Sequence, residues 1–594
     1  MSFNAHLSRR QFIGIAGGIA GAAAFANMGF DAPAQENKPK IDSNNFTVEH
    51  HHTDVLVIGG GMAGLFAAVK AHDAGANVMM VSKGRVGSSG LTPFAKGIFS
   101  YDKANASVTI DEFVAQVTES AIETNNPVFT RQLAEHSYAR VQELTSWGFF
   151  DSALYHHSFM KPINERNIPV NERIMITHLL KQDGRVVGAS GFSLDELKIV
   201  HYHAKSVVLC TGAGGFKPNG FPVSDLTHDG TIMAYKIGAK VTGKEWNDGH
   251  PGSAKNSGSS YDNWHGQVEQ KPSVTSVTIN HHLGVDLNYL AYTQGSPVVM
   301  RPPRPEVPGM QRDNNVMAAQ QGQNYPAGPY VPPAFRQSGP PPKPPEQGFL
   351  RSLVSSKGHS GPPGMGGEQV GGSSAGMAIH KSEGLVPIND QGLSTIPGLY
   401  AAGDALGSYM SGGIYTQIGS SLAGSAVQGA IAGAAAANDS LAIQGKQDVS
   451  EQYLTFVNQQ ILAPLTRKRG YSPAWVTQVL QGVMIPNFVL YIKKERMMQA
   501  ALAYVEELYE HHVPMLMADD LHALRLAHET ENMIITAEMK LKASIMRKES
   551  RCSHYRLDCP DIDYENWQAW INIYKDDAGN MVLEKQPFKS WPNF

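Results

Sequence analysis

The chain has 594 residues, 42% of them hydrophobic, and a formal net charge of −4, which allows several domains at ~150 residues each and excludes the basic footprint of a nucleic-acid binder. Its 59 glycines and 35 prolines carry no triplet period, which excludes a collagen-like chain. Three cysteines (Cys210, Cys552 and Cys559) are too few for an iron–sulfur centre held by four thiolates, and no CxxCH haem attachment site occurs.

Ser8-Arg9-Arg10-Gln11-Phe12-Ile13 precedes a Gly/Ala-rich apolar run from Gly14 to Phe25, and Ala32-Pro33-Ala34 supplies an A-x-A cleavage site. This order predicts a twin-arginine signal peptide over 1–34 and a periplasmic protein. The run falls short of the ~20 apolar residues of a spanning helix. No later segment is long and apolar enough to span either, so a mature protein without a membrane span is expected. The twin-arginine route carries folded proteins, so a cofactor would be loaded before export. The triple His50-His51-His52 is read as part of a solvated linker, 35–52, and no metal site is expected.

Val55-Leu56-Val57-Ile58 suits a buried parallel strand. Gly59, Gly61 and Gly64 follow in G-x-G-x-x-G spacing and open an Ala-rich helix from Met62 and Ala63 to Ala74. The first glycine permits the tight turn, the second the approach of a pyrophosphate, the third close helix–strand packing. A second strand runs from Asn77 to Val81. The acidic ribose ligand expected after it is replaced by Ser82-Lys83.

Ser82-Lys83 and the segment "RVGSSGLTPFAKGIFSY" resemble the flavin-contacting loop of the succinate dehydrogenase/fumarate reductase flavoproteins. The resemblance implies FAD contacts from Ser89, Gly90, Thr92, Ala95, Lys96 and Gly97. It places Leu91 where respiratory members carry the histidine that joins FAD covalently, so FAD is expected to bind non-covalently. "AKSVVLCTGAGG" resembles the family's second dinucleotide contact, with Thr211 and Gly212. "HDGTIMAYKIGAKV" resembles its T-G-D-G-x-x-M-A helix, with Asp229. In "IPGLYAAGDALGSYMSGGIYTQIGSSLAGSAVQGAIAG", Gly403-Asp404 would hold the ribityl hydroxyls. Ser420, Ser421 and Leu422 would begin a helix facing the isoalloxazine C2 carbonyl. The ending "ESRCSHYRLDCP" resembles the family's E-S-R-x-x-H-x-R-x-D-x-P motif, and its continuation is similar to the adenylylsulfate reductase flavoprotein.

The resemblance implies an α/β fold: a Rossmann-like two-dinucleotide-binding FAD domain (53–250 and 371–440), an inserted α+β cap or substrate domain with proline-rich loops (251–370), and a C-terminal helical domain (441–594). Cys552 and Cys559 are left open between a disulfide and two free thiols.

The implied substrate site departs from the family. "EWNDGHP" keeps the spacing of E-x-x-x-x-H-P, so His250 matches one substrate-site histidine. Gln417 stands where fumarate reductases place an arginine, "GGEQV" replaces another histidine, and no equivalent of the cap-arginine segment R-D-x-x-x-R is found. A buried dicarboxylate would be poorly compensated there. Tyr415 is the leading proton donor, His250 the second, and Gln417 a polar anchor. The plain alternatives are that Tyr415 packs beside the ring and His250 bonds the backbone. Arg551 either reaches the site or fastens the C-terminal helices through Glu549-Ser550-Arg551. Trp246 and Tyr409 are read as pocket walls.

The expected function is a periplasmic FAD-dependent oxidoreductase of anaerobic respiration. It would transfer hydride between flavin N5 and an activated C=C bond of a substrate that is not a small dicarboxylate. Electrons would come from a separate cytochrome c or iron–sulfur protein. The alternatives are the flavoprotein subunit of a dehydrogenase/reductase complex with an iron–sulfur partner, and a non-catalytic flavin electron carrier.

Overall fold

The computed structural model describes residues 40–94, 98–152, 154–217, 225–247, 252–253, 298–300, 369–371, 382–414, 419–445, 447–484, 489–490 and 492–590. The chain divides into Met1–Asp42, of which only 40–42 are described, and Ser43–Phe594, which holds every element below. The signal-peptide expectation and the proline-rich stretches lie outside the described residues. Among those described, no helix is long and apolar enough to cross a membrane.

Strand β1 (Thr47–Ile58) is polar and half-exposed over its first half, then fully buried from Val55. This buried end is a continuous apolar run, as a strand flanked by parallel neighbours requires. It leads into α1 (Met62–Asp73) and β2 (Val78–Ser82). Helix α2 (Ile110–Ser120) starts at a Thr109/Glu112 capping box. Asn126 caps α3 (Pro127–Ser146), whose first residue is a proline with no amide to lose. After α4 (Tyr155–Glu165) come β3 (Val170–Glu172), β4 (Ile174–Gln182), β5 (Arg185–Ser193) and β6 (Lys198–Leu209). Helix α5 (Asp229–Lys236) and β7 (Val241–Thr242) follow.

The main sheet has the order β3-β2-β1-β6-β5-β4. Strands β3, β2, β1 and β6 run parallel, whereas β6, β5 and β4 are antiparallel. The end of β6 takes a further parallel partner, β12 (Leu399–Ala401). Short strands β8 (Gly252–Ser253), β9 (Val298–Met300) and β10 (Gln369–Gly371) form an antiparallel sheet. Val370 pairs with Gly252, so the two ends of the expected insertion meet.

Helix α6 (Ser420–Leu441) is rich in Ala and Gly because it lies directly against α1. A Cβ at Gly429 would stand 2.2 Å from the Ala63 carbonyl oxygen, and one at Gly433 2.2 Å from that of Ala67. Helices α7 (Glu451–Thr466), α8 (Pro473–Met484), α9 (Glu495–Glu507) and α10 (Leu521–Met546) make up the C-terminal helical part. Their second core gathers Leu480, Met498, Val505 and Ile534.

Two expectations need correction. The C-terminal part is not helical throughout: β13 (Ala569–Lys575) and β14 (Met581–Pro587) form a hairpin. It extends a sheet of order β11-β7-β13-β14, where β11 is Gly384–Leu385. β-Branched and aromatic residues in "AWINIYK" favour the strand, and burial against β7 selects it. The linker expected over 35–52 is also wrong at its end. Thr47–Thr53 pairs in register with Lys198–Ala204, so His50-His51-His52 are strand residues.

Candidate functional site

At the C-terminal ends of β1, β2 and β6 the backbone opens a groove lined by the glycine turn, the place where a parallel sheet takes a dinucleotide. The three spaced glycines act differently. Gly59 has φ +123°, and a Cβ there would meet the Cys210 carbonyl at 2.1 Å; one at Gly64 would meet the Gly59 carbonyl at 1.9 Å. Both are required by packing. A Cβ at Gly61 would meet only the Thr92 Oγ1, at 3.3 Å, and would otherwise fill the groove itself. The helix behind it has no side-chain cap on Gly61. The Met62 N–H donates to Thr92 Oγ1 at 3.1 Å, tying the loop after β2 to the turn.

Gly59, Gly61, Met62, Ala63, Ser82, Lys83, Ser89, Gly90, Leu91, Thr92, Thr211, Gly212, Asp229 and Asp404 all line this groove. Gly64 and Gly403 sit behind it. A Cβ at Gly403 would stand 2.9 Å from Ala63 Cβ, which explains a glycine between the late strand and α1. Ser420, Ser421 and Leu422 open α6; Ser425, one turn on, is the α6 residue on the groove wall. Ala95, Lys96 and Gly97 lie outside the described residues. Sequence reasoning missed Ile174, Met175 and Ile176 at the start of β4, as well as Asp225 and Leu226. Nothing local marks the β4 residues, whose strand joins the sheet through the antiparallel pairing of β4, β5 and β6.

The Lys83 ammonium lies 2.7 Å from Asp229 and 2.9 Å from Glu529 on α10. Burial opposes its charge, but the two carboxylates outweigh it and raise the lysine pKa. Asp229 is held below the ordinary carboxylate range: burial pushes it up, and Lys83, with hydrogen bonds from Asn532 and Thr227, pulls it down further. A basic residue after β2 thus serves an internal ion pair. The acceptors that a ribose needs are available on the groove from Asp225 and Asp404. Thr211 Oγ1 is buried with no hydrogen-bond partner. An uncapped helix start, the Gly61 opening and this orphaned hydroxyl fit a dinucleotide with its pyrophosphate at the α1 N-terminus.

Tyr415, Gln417 and His250 lie outside the described residues. Arg551 is fully buried. Its guanidinium grips Glu549 at 2.9 and 3.1 Å and donates to the Ile122 carbonyl at 3.0 Å and to Gln568 at 2.9 Å. Arg547 bridges Glu245 at 3.0 Å and Glu549 at 2.7 Å, and Arg556 joins Glu495 and Asp558. The closing motif therefore fastens the C-terminal segment to the residues before the insertion. A second buried cluster centres on Glu383, bonded to Lys244, to Lys540 at 2.8 Å and to His228 at 3.1 Å. Burial would raise the Glu383 pKa, but the Lys244 and Lys540 ammonium groups, helped by the hydrogen bond with His228, hold it well below normal. Trp246 and Tyr409 belong to a buried cluster with Trp570 and Phe588. Tyr409 stacks on Trp570 at 4.7 Å and bonds Thr242 through its hydroxyl. Cys210, Cys552 and Cys559 are free thiols. Cys552 bonds the Ala121 carbonyl at 3.2 Å, and burial pushes its pKa to about 12.

Comparisons with known proteins agree with this construction. The FAD binding domain family matches residues 54–158, and the fumarate reductase flavoprotein C-terminal family matches 477–592. The chain is 26% identical to one of the subunits of the fumarate reductase (CoM/CoB) of Methanothermobacter marburgensis, over 88% of this chain and 97% of that protein. It is 24% identical to the fumarate reductase flavoprotein subunit of Mycobacterium tuberculosis, over 92% and 98%. In fold it resembles adenylylsulfate reductase of Archaeoglobus fulgidus, with TM-score 0.68 and 19% identity over 92% of this chain and 98% of that one. The FrdA chain of E. coli quinol fumarate reductase superposes with TM-score 0.66 and 17% identity, over 91% and 97%. Glycine turn, groove and closing motif all fall inside these likenesses, and the chain is an FAD-dependent oxidoreductase similar to the succinate dehydrogenase/fumarate reductase flavoproteins.

Proposed function

We propose that this protein is a periplasmic reductase of an activated C=C bond on a substrate other than a small dicarboxylate, fed by a separate electron-transfer protein. The observation that carries the reading is Arg551. Its four hydrogen bonds to Glu549, Ile122 and Gln568 commit it to the scaffold, and Gln417 occupies the position where dicarboxylate-binding relatives carry an arginine. A doubly charged substrate bound beside Gln417 would lack the charge-assisted bonds that such a ligand needs.

When bound, FAD supplies hydride transfer at N5. The chain's own residues would hold its phosphates at Gly61 and Met62, its hydroxyls at Asp225 and Asp404, and its ring against the α6 N-terminus. Tyr415, four residues before Gly419, would donate the proton to the substrate carbon, and His250 would orient the substrate. Relatives named as subunits support a partner-dependent enzyme, so a flavoprotein subunit of a larger complex is the second reading.

An anaerobic assay of the FAD-loaded protein with reduced viologen tests this, using fumarate, monocarboxylate enoates, aryl enoates and uncharged enones. Turnover with an enoate or enone, and none with fumarate, is expected. Rapid fumarate reduction would refute it.

A further inference from the structure

We propose that His52, His203 and Asp448 form a binding site for a divalent transition-metal ion of the zinc class. Strands β1 and β6 set His50 opposite His201 and His52 opposite His203, so four imidazoles share one face of the sheet. His51 pairs with Tyr202 on the other face, ring centroids 5.2 Å apart. His52 stacks on His203 with centroids 4.6 Å apart and planes at 14°. His50 Nδ1 lies 3.1 Å from His203 Nε2. Asp448, in the segment between α6 and α7, closes the group: one nitrogen from each of His52 and His203 and one Asp448 oxygen lie within 4.8 Å of one another.

The second observation is the state of His203. It is only 5% exposed, and its Nδ1 is buried with no hydrogen-bond partner. His52, His50, the Asp448 carboxylate and the Gln447 backbone are the polar groups that act on it. A bond from Nε2 to His50 would fix the tautomer of His203 and aim its Nδ1 at the ligand position, the arrangement found behind metal-bound histidines.

Two imidazoles and one carboxylate are the ligand set of zinc sites that keep a water in the fourth position, with bonds of about 2.0–2.2 Å. Oxygen-seeking cations such as calcium and magnesium would not select imidazole. Tetrahedral bonds of that length put ligand atoms about 3.3 Å apart. Reaching this from 4.8 Å takes rotation of His52 and Asp448, both exposed. His52 precedes Ile58 by six residues on β1, about 20 Å at ~3.3 Å per residue, so the site is remote from the FAD groove. A metal there would clip the polar half of β1 to the segment entering the C-terminal helices.

The test uses the full, untagged, chelator-treated protein, titrated with cobalt(II) and then zinc. One saturable equivalent of cobalt with visible bands of a four- or five-coordinate ion, displaced by zinc, is expected, together with a zinc-dependent rise in Tm. His52→Ala and Asp448→Asn, both surface changes that leave the fold intact, should each weaken affinity at least tenfold. Absence of saturable binding at tens of micromolar metal would overturn the proposal. So would binding that neither variant weakens.

Discussion

Gly429→Ala should separate packing from helix propensity. In an ordinary exposed helix, Gly to Ala gains about 1 kcal/mol. Here the new Cβ would stand 2.2 Å from the Ala63 carbonyl oxygen. Reaching an ordinary contact of about 3.4 Å means that α6 and α1 part by roughly 1 Å, and interdigitated elements resist this at about 1–3 kcal/mol. Backbone cannot turn aside as a side chain can, so the upper part of that range applies and the net effect is a loss of about 1–2 kcal/mol. Ala63 adjoins Gly61 and Met62 on the groove, so the same displacement should weaken FAD binding several-fold. Gly482 on α8 is the internal control, since a Cβ there meets nothing within 4 Å; Gly482→Ala should raise Tm and leave FAD binding unchanged. Thermal unfolding of apo- and FAD-loaded protein, with a fluorescence titration of FAD, reads both effects. A Gly429→Ala protein as stable as its parent, with full FAD affinity, would refute the idea that glycine sets the α1–α6 approach.

Two further outcomes follow from buried charge. Lys83→Met should cost about 3 kcal/mol and weaken FAD binding, because buried Asp229 loses the ammonium 2.7 Å away, whereas Glu529 keeps Lys217 at 2.9 Å; adding Asp229→Asn should recover part of the stability loss, and a double-mutant cycle by urea unfolding checks it. Stability should also fall as pH drops below about 6.5. Burial lowers the pKa of His178 to about 3 and that of His228 to about 4, whereas the unfolded chain titrates near 6.5. The unfolded state therefore takes up protons first, so the stability is whole above the unfolded pKa and lost toward the folded ones. At pH 5 the two residues together account for about 4 kcal/mol, and a flat unfolding free energy between pH 7 and 5 would contradict this.

What the sequence makes legible is what its local order decides. Strand, glycine turn, helix and second strand are written within about thirty residues from Asp54, and the groove forms where that spacing puts it. Thr211 and Asp404 are legible because each ends a strand at a recognisable turn. Other features depend on distant partners. Glu383 becomes a charge centre only when His228, Lys244 and Lys540 converge on it. The histidine triple reads as linker until β6, some 150 residues later, pairs with it. Lys83 reads as a residue of the cofactor groove, and its pairing with Asp229 and with Glu529, far along the chain, shows only in the structure. The helical reading of the last segment fails for the same reason, since the partner that selects its hairpin is β7.

That pairing of Val241 and Thr242 with Ile573 and Asn572 bears on the order in which the protein can be made. A strand beside the FAD-bearing half waits for a neighbour that leaves the ribosome more than three hundred residues later. Until then its edge is open, and any nascent chain beside it offers a substitute. Premature termination anywhere before β13 would leave that edge permanently unpaired. Closure of this sheet is, by this geometry, a built-in criterion for completeness: it comes when translation is nearly over, and not before.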